Sequence, residues 1–210
     1  MFKEMKVEPV VLEGRRVRLE PLESAHLTGL ADAALDPASW RWIAPPVKTS
    51  KEMVAYIESA LDEQERGISL PFVLIEKGQE RVIGSTRYGN IDHKRGRLEI
   101  GWTWVEREWE RVVVATEAKY LLLRHAFEEL GCIRVGLRSS TLTDWVNMLT
   151  REAILSASTF DEECSEGPTI PTNSIMRHDV LFTIVDSAWP SAKARIERML
   201  RLRDLLDSRA

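Results

Sequence analysis

The residues best suited to chemistry lie between positions 97 and 130, where an alternating apolar strand leads through a short loop into an amphipathic helix. The pattern predicts that this helix opens on Thr116, Glu117 and Ala118. The first amides of a helix have no partner within the helix, and the helix dipole favours negative charge at that end. A strand that leads into a helix start therefore predicts an anion site of the kind that suits a phosphorylated cofactor.

The elements that must hold this site begin with one strand and two helices. Apolar residues alternate with charged ones over 16–20, which is the period of a half-buried strand. Ser24 is a suitable N-cap for the first helix. Thr49 and Glu52 have the spacing of a capping box, which predicts a second helix that runs to about Gly67.

The rest of the chain continues with strands and helices of ordinary length. Strands are predicted at 71–76, 82–88, 98–105, 133–137, 160–170 and 175–185. Helices are predicted at 147–157 and from about 188 onward. The first three of these strands favour an antiparallel meander, and the wide apolar face of the central helix favours burial against it. With no repeat or linker, the pattern predicts one α+β domain over residues 1–210.

Composition disfavours several classes of function. The chain is 44% hydrophobic and 30% charged, which is typical of a soluble globular protein. No apolar run approaches the roughly 20 residues that cross a bilayer, so no membrane span is expected. A net charge of -4 disfavours a nucleic-acid partner. The chain has two cysteines, Cys132 and Cys164, and no signal-peptide pattern, so we expect the protein in the reducing cytoplasm. Cys132 is expected to be buried as a small apolar residue. We find no metal-ligand cluster with zinc spacing and expect no metal.

The order of elements resembles the fold of the GNAT acetyltransferases, and several local sequences are similar to their RimJ/RimL-like branch of ribosomal-protein N-terminal acetyltransferases. These sequences are LEGRRVRLEPL at 12–22, VIGSTR at 82–87, LEIGWTW at 98–104, TEAKYLLLRHAFEELGCIRV at 116–135 and LFTIVDSAWP at 181–190. The resemblance covers nearly the whole chain. It implies a mixed, mostly antiparallel sheet flanked by helices, with acetyl-CoA as co-substrate.

The resemblance also implies where the cofactor binds. Its diphosphate is expected at the amides around 111–116, and its pantetheine arm near the asparagine of an Asn-x-x-Ser-like pattern. The implied cofactor-binding residues are Trp102, Thr103, Trp104, Arg111, Val112, Val113, Val114, Ala115, Thr116 and Asn147. For Thr116 the alternative interpretation is an ordinary helix cap.

Two departures from the family pattern bear on this site. The loop pattern Gln/Arg-x-x-Gly-x-Gly/Ala places its central glycine at Val113, where a β-branched residue resists positive φ and close phosphate approach. The connection 139–146 is longer than the branch pattern leads us to expect, by about four residues within the usual boundary error. We therefore expect a strained loop at Val113 and a reshaped acceptor pocket.

Acetyl transfer to an amine relies largely on holding two substrates together, so few side chains need to move protons. Glu99 is the first candidate base, because it stands on the strand that leads to the cofactor loop. The alternative for Glu99 is a solvated or ion-paired strand residue. Thr150 matches a family position from which a hydroxyl reaches the leaving thiolate, and its alternative is packing on a helix surface.

Three residues are candidates for the acceptor site. Trp40 and Trp42 precede a Pro-Pro break and either line the acceptor pocket or pack in the core. Arg87 either guides an acidic group of the substrate or forms an ion pair on the strand surface. His125 lies on a strongly apolar helix and is expected to be a packed residue.

The sequence thus predicts an acetyl-CoA-dependent N-acetyltransferase that acts on a primary amine by direct attack in a ternary complex. The acceptor is a small molecule or a peptide, and the resemblance favours a protein or peptide N-terminus. The alternative is a non-catalytic GNAT-fold binding protein with impaired CoA binding, which rests on Val113. Dimerisation is left open.

Overall fold

The computed structural model describes residues 5–34, 47–109, 113–140 and 179–207. The strands are β1 (Leu12–Glu13), β2 (Val17–Pro21), β3 (Leu70–Glu76), β4 (Arg81–Asp92), β5 (Arg97–Val105), β6 (Arg134–Ser140) and β7 (Asp179–Val185). The α-helices are α1 (Leu27–Ala33), α2 (Ser50–Glu65), α3 (Val113–Arg124) and α4 (Trp189–Asp207). The predicted helix at 147–157 and strand at 160–170 lie outside the described residues, so both stay predictions.

Seven strands of the described ranges form one sheet in sequence order. Neighbouring strands run antiparallel, except that β5 and β6 run parallel. The parallel pair arises because α3 lies between β5 and β6 and returns the chain to the same end of the sheet. The predicted α+β fold and the antiparallel meander of β3, β4 and β5 are confirmed.

Helices cover the sheet on both faces. On the α3 face, α3 and α4 pack over residues such as Leu19, Phe72 and Ile100. On the α2 face, α1 and α2 pack over Val73 and Trp104. Successive side chains of a strand point to opposite faces, so each strand contributes to both apolar layers.

Helix α2 begins as the sequence predicts. The Thr49 hydroxyl accepts from the Glu52 amide at 3.2 Å, and the Glu52 carboxylate accepts from the Thr49 amide at 3.0 Å. These reciprocal bonds satisfy amides that the helix itself leaves without partners. The first helical segment differs from the prediction, because Ser24 starts a 3-10 turn (Ser24–His26) whose cap is Glu23.

No helix in the described ranges is long and apolar enough to cross a membrane.

Helix α3 begins three residues earlier than predicted, at Val113 instead of Thr116. Val113 and Val114 are 5% and 2% exposed, so apolar burial extends the helix through residues that the family loop pattern would leave outside it. At its other end, α3 continues into a π-helical turn, His125–Glu129. His125 is buried there and stacks on Tyr88, with ring centroids 6.1 Å apart, which confirms its packing role. Cys132 is buried as expected.

Candidate functional site

The sheet opens between β5 and β6. These parallel strands pair from Arg97 opposite Arg134 to Ile100 opposite Leu137. Beyond that pair β5 continues to Val105 and β6 to Ser140, with no further pairing between them among the described residues. Backbone groups on the facing edges of the two strands therefore have no strand partner within the ranges that the structure describes, and an extended ligand can use them.

A β-bulge in β5 lies at the point where the strands part. Arg87 of β4 stands opposite Gly101, and Ser85 stands opposite Trp104, so β5 takes one residue more than β4. Trp102, inside this interval, has φ +50, a left-handed conformation that is rare for a bulky residue. Bulges bend a strand and increase its twist. The bulge thus turns the end of β5 away from β6.

Trp102 lies on the backbone of β4. A Cβ atom added at Gly89 would stand 2.3 Å from the Trp102 ring, so glycine at 89 is what allows this contact. Trp102 is 37% exposed, so part of its ring is in contact with solvent while part lies against Gly89. The resemblance singled out Trp102 as a cofactor contact, and the structure adds its conformation and its support.

The chain then enters α3, whose first four residues are Val113, Val114, Ala115 and Thr116. All four side chains are buried, with 2–5% exposure, so any contact with an anion falls to their amides. These four amides are the ones that an α-helix leaves without intrahelical acceptors. The predicted anion site therefore keeps its basis, while Thr116 stands in the first turn and not at the cap.

The expectation of a strained backbone at Val113 is wrong. Val113 is helical, and the residues with positive φ in the described ranges do not include it. A β-branched residue fits a helical first turn with a small penalty in propensity. The structure therefore removes one of the two reasons for expecting that valine at this position impairs cofactor binding, namely its resistance to positive φ.

Arg87 occupies the α2 face beside the opening. Arg87 is 4% exposed, and its Nη1 donates to the Glu63 carboxylate of α2 at 2.9 Å. The guanidinium lies 5.4 Å from the ring centroid of Tyr56 and 5.5 Å from that of Trp102. The ion pair that was the alternative interpretation of Arg87 is thus present, but its arginine is buried beside two aromatic rings and does not lie on the surface.

Tyr56 links this arrangement to the core. Its hydroxyl donates to Ser85 Oγ at 3.3 Å and accepts from Trp104 Nε1 at 3.3 Å. Trp104 is 2% exposed and packs with α1 and α2, so its side chain is part of the core and only its backbone is available to a ligand. Sequence reasoning missed Tyr56 and Glu63. They lie seven residues, or two turns, apart on α2, and that spacing was the available signal.

Glu99 stands one residue before the strands part. It pairs with Gly89 of β4 on one side and with Gly136 of β6 on the other. Its neighbours Leu98 and Ile100 belong to the core on the α3 face, so the Glu99 side chain points to the α2 face, as Arg87 does. Glu99 is half-buried and has glycine on both flanking strands.

A second polar cluster lies on the α3 face of the same strands. Thr86 and Thr103 share a hydrogen bond between their hydroxyl groups at 2.8 Å, and Lys119 Nζ donates to Thr103 Oγ1 at 3.4 Å. Lys119 is 5% exposed, and burial lowers its pKa to about 8. Sequence reasoning missed Lys119, because a lysine within an apolar helix stripe is usually exposed at its tip.

Six predicted site residues lie outside the described residues. They are Trp40, Trp42, Arg111, Val112, Asn147 and Thr150. Among the residues that the structure describes, Glu99, Arg87 and Trp102 come together beside the opening, while Thr103 faces the opposite side of the sheet. No group of three metal-ligating side chains occurs in the described ranges.

Comparison with known proteins identifies relatives of this arrangement. Residues 16–146 match the acetyltransferase (GNAT) domain family. No curated protein matches the chain.

Solved structures resemble the chain over most of its length. A candidate acetyltransferase from T. thermophilus is 28% identical, with a TM-score of 0.76 over 93% of this chain and 100% of that chain. A GCN5-related N-acetyltransferase from Brucella melitensis is 24% identical, with a TM-score of 0.78 over 95% of this chain and 89% of that one. RimL, a ribosomal L7/L12 alpha-N-protein acetyltransferase in complex with coenzyme A, is 16% identical, with a TM-score of 0.67 over 85% and 99%. The last two likenesses concern the fold alone.

Proposed function

Since this chain belongs to the GNAT family of acetyltransferases, we propose that it transfers an acetyl group from acetyl-CoA to a primary amine by direct attack in a ternary complex. The observation that carries the proposal is the opening between β5 and β6 beside the start of α3. It combines free strand edges for an extended arm with helix amides for an anion. CoA has both parts, because its extended pantetheine arm can pair with strand edges and its diphosphate is the anion.

The proposed cofactor contacts follow from these features. The diphosphate binds at the amides of Val113–Thr116 together with Arg111 and Val112, and the arm runs along the backbone of Trp102, Thr103 and Trp104 toward Asn147. Support comes from the buried apolar side chains of Val113, Val114 and Ala115, which leave the amides and the Thr116 hydroxyl as the polar groups of that turn. Support for the arm comes from the bulge that separates β5 from β6.

Glu99 is proposed as the general base. The amine nitrogen forms a bond to the acetyl carbonyl carbon, the carbon–sulfur bond breaks, and the amine proton passes to the Glu99 carboxylate, directly or through one water. CoA leaves as the thiolate, for which Thr150 is the proposed hydrogen-bond donor. Support for Glu99 is its place one residue before the strands part, on the face that also holds Arg87.

The alternative of a non-catalytic binding protein loses its main argument. It rested on Val113 in place of the family glycine, and the backbone strain expected there is absent because Val113 lies in an ordinary helical turn. No other feature of the described residues favours it, so we retain the enzyme as the proposed function.

Ligand-dependent melting tests the cofactor half of the proposal. Acetyl-CoA at about 100 times its dissociation constant adds about 2.7 kcal/mol to the free energy of unfolding. For a chain of this size, we expect the melting temperature to rise by about 5 to 10 °C. Desulfo-CoA should act similarly, because the contacts proposed for the diphosphate are unchanged. A melting temperature that neither ligand changes would contradict the proposal.

A charge variant locates the diphosphate. Arg111→Ala should weaken binding of CoA more than binding of pantetheine, which has no diphosphate, and added salt should weaken CoA as well. Arg95→Ala is the matched control. Arg95 is an exposed arginine paired with Asp92, and it precedes the first residue of β5, far from the start of α3. Equal losses for CoA and pantetheine in Arg111→Ala would place the diphosphate elsewhere.

A further inference from the structure

Arg87 carries a hydrogen-bond donor for which the described part of the chain supplies no acceptor. Its Nη1 bonds to Glu63, while its buried Nε has no hydrogen-bond partner among the residues that the structure describes. Buried donors without partners are uncommon, and those of charged groups are the most costly. The guanidinium lies over the rings of Tyr56 and Trp102, with its central carbon 5.4 and 5.5 Å from their centroids, and these contacts give the Nε–H no acceptor.

The unused donor belongs to the edge of the guanidinium that suits a carboxylate. The Nε–H of an arginine and one N–H of Nη2 point the same way and form a planar fork that matches the two oxygens of a carboxylate. Glu63 occupies Nη1, on the other side of the group, and its own side chain is 32% exposed. The fork edge of Arg87 is therefore complementary to a second carboxylate.

Space for a ligand lies beside this edge. Gly101 stands directly opposite Arg87 in the sheet, so a Cβ atom at 101 would point to the same face. That atom would meet nothing within 4 Å among the described residues, although Gly101 itself is buried. The described residues thus leave a space on the α2 face next to Arg87, between Glu99 and Trp102.

The proposed base lies within reach of the same space. Glu99 precedes Gly101 by two residues on the same face, so it is the diagonal neighbour of Arg87. Cα atoms in this relation are about 7–8 Å apart. A single small molecule can therefore touch both side chains, with one end at Glu99 and the other at Arg87.

Resting on the proposed function, we propose that the acetyl acceptor is an amine that carries a carboxylate a few bonds away, and that this carboxylate binds the Nε/Nη2 edge of Arg87. The amine then lies at Glu99, beside the opening that receives the acetyl group. The carboxylate enters by displacing the ring of Trp102, which is the exposed wall of the enclosure. Arg87 thereby selects acidic amines and is a specificity-determining residue.

Paired acceptors test the selection. Glycine, β-alanine and 4-aminobutyrate are each compared with the corresponding primary amide, which keeps the amine and the chain length but has no carboxylate. We expect at least one acid to be acetylated with a kcat/KM at least tenfold above that of its amide, measured by release of CoA and by the mass of the product. Equal kcat/KM values within all three pairs would overturn the proposal.

Two variants assign the preference to Arg87. Arg87→Gln should bring each acid to within about twofold of its amide. Glu63→Gln keeps Arg87 and removes the competing carboxylate, so it should lower KM for the acid and leave KM for the amide unchanged. Arg95→Gln is the matched control and should keep the wild-type preference, since Arg95 is 72% exposed. Should Arg87→Gln fail to fold, an unchanged acid KM in Glu63→Gln contradicts the proposal by itself.

Failure of the acceptor proposal is distinguishable from failure of the proposed function. Acetyl-CoA that does not raise the melting temperature counts against the function. If acetyl-CoA binds and no probe is acetylated, calorimetric titration of the CoA complex with the same pairs decides the acceptor class. Tighter binding of the acids, abolished in Arg87→Gln, supports the carboxylate site, and equal binding of acid and amide overturns it.

Discussion

At the scale of single residues, Glu99 is set apart by its neighbours. Gly89 and Gly136 flank it on the two neighbouring strands, and the ring of Trp102 lies over Gly89. We expect Glu99→Gln to lower turnover by roughly 100-fold at neutral pH, the lower range for the loss of a general base. Steady-state kinetics with any accepted amine measures this effect.

Binding of CoA separates a chemical role of Glu99 from a structural one. The amide of glutamine preserves the size of the side chain, so the dissociation constant for CoA should change by less than about twofold. Wild-type turnover in the variant would remove Glu99 from the mechanism. A large loss of CoA affinity would instead indicate a role in building the site.

Lys119 is the residue whose protonation should be visible in stability. Burial lowers its pKa to about 8, from 10.5 in an exposed lysine. Between these pH values the unfolded chain holds the proton and the folded protein does not, so unfolding takes up a proton and rising pH favours the folded state. We expect the free energy of unfolding to rise from pH 8 to 10.5 by on the order of 1–3 kcal/mol relative to Lys119→Met.

Urea unfolding of both proteins across this pH range measures the difference. The other lysines titrate in both proteins, so the difference between the two profiles belongs to position 119. Parallel profiles would show that the ammonium keeps its proton in the folded protein, held by groups such as Thr103.

At the scale of elements, the start of α3 decides how an anion is held. The side chain of Val113 is 5% exposed in the first turn, so it contributes buried apolar area and no strain. Val113→Gly should therefore lower the free energy of unfolding by about 1–3 kcal/mol. The affinity for CoA should stay unchanged or decrease, because no unfavourable φ is relieved.

The exposed Val11→Gly variant is the control and should change stability by less than about 0.5 kcal/mol. Val11 is 49% exposed. Calorimetric titration with CoA at one salt concentration compares the affinities. A tighter complex in Val113→Gly would mean that the turn rearranges on binding into a geometry that valine resists.

At the scale of the whole molecule, Glu117 joins parts of the chain that are about 100 residues apart. Its carboxylate accepts hydrogen bonds from the amides of Arg15, Arg16 and Val17 at 2.6, 2.9 and 3.2 Å. This fastens the turn between β1 and β2 to α3, the helix that carries the proposed anion site. A Cβ at Gly14 would stand 2.8 Å from the Glu117 carboxyl carbon, so the turn is closely fitted to it.

We expect Glu117→Gln to lower the free energy of unfolding by about 2 to 3 kcal/mol, because hydrogen bonds to a charged acceptor are lost and an amide donor faces backbone donors. Glu129→Gln, at an exposed position in the π-helical turn after α3, is the control and should cost less than about 0.5 kcal/mol. Denaturant unfolding gives both values. Equal stability of the two variants would show that the turn is held without the carboxylate.

The sequence by itself determined the elements and their order, because periodicity, caps and turn residues are local properties. The Thr49–Glu52 capping box and the meander of β3, β4 and β5 were predicted in this way and are confirmed. The cofactor segment was also predicted, through a resemblance carried by short sequences. Its exact helix start was not, because burial of Val113 and Val114 depends on the sheet beneath them.

Only the tertiary structure decided how the site is built. The parting of β5 from β6 follows from a bulge, whose register depends on the partner strand and leaves no clear pattern in one sequence. The burial of Arg87 depends on Glu63 and Tyr56, 24 and 31 positions away. Local patterns specify which face a residue takes, whereas contacts between distant segments arise only when those faces are packed together.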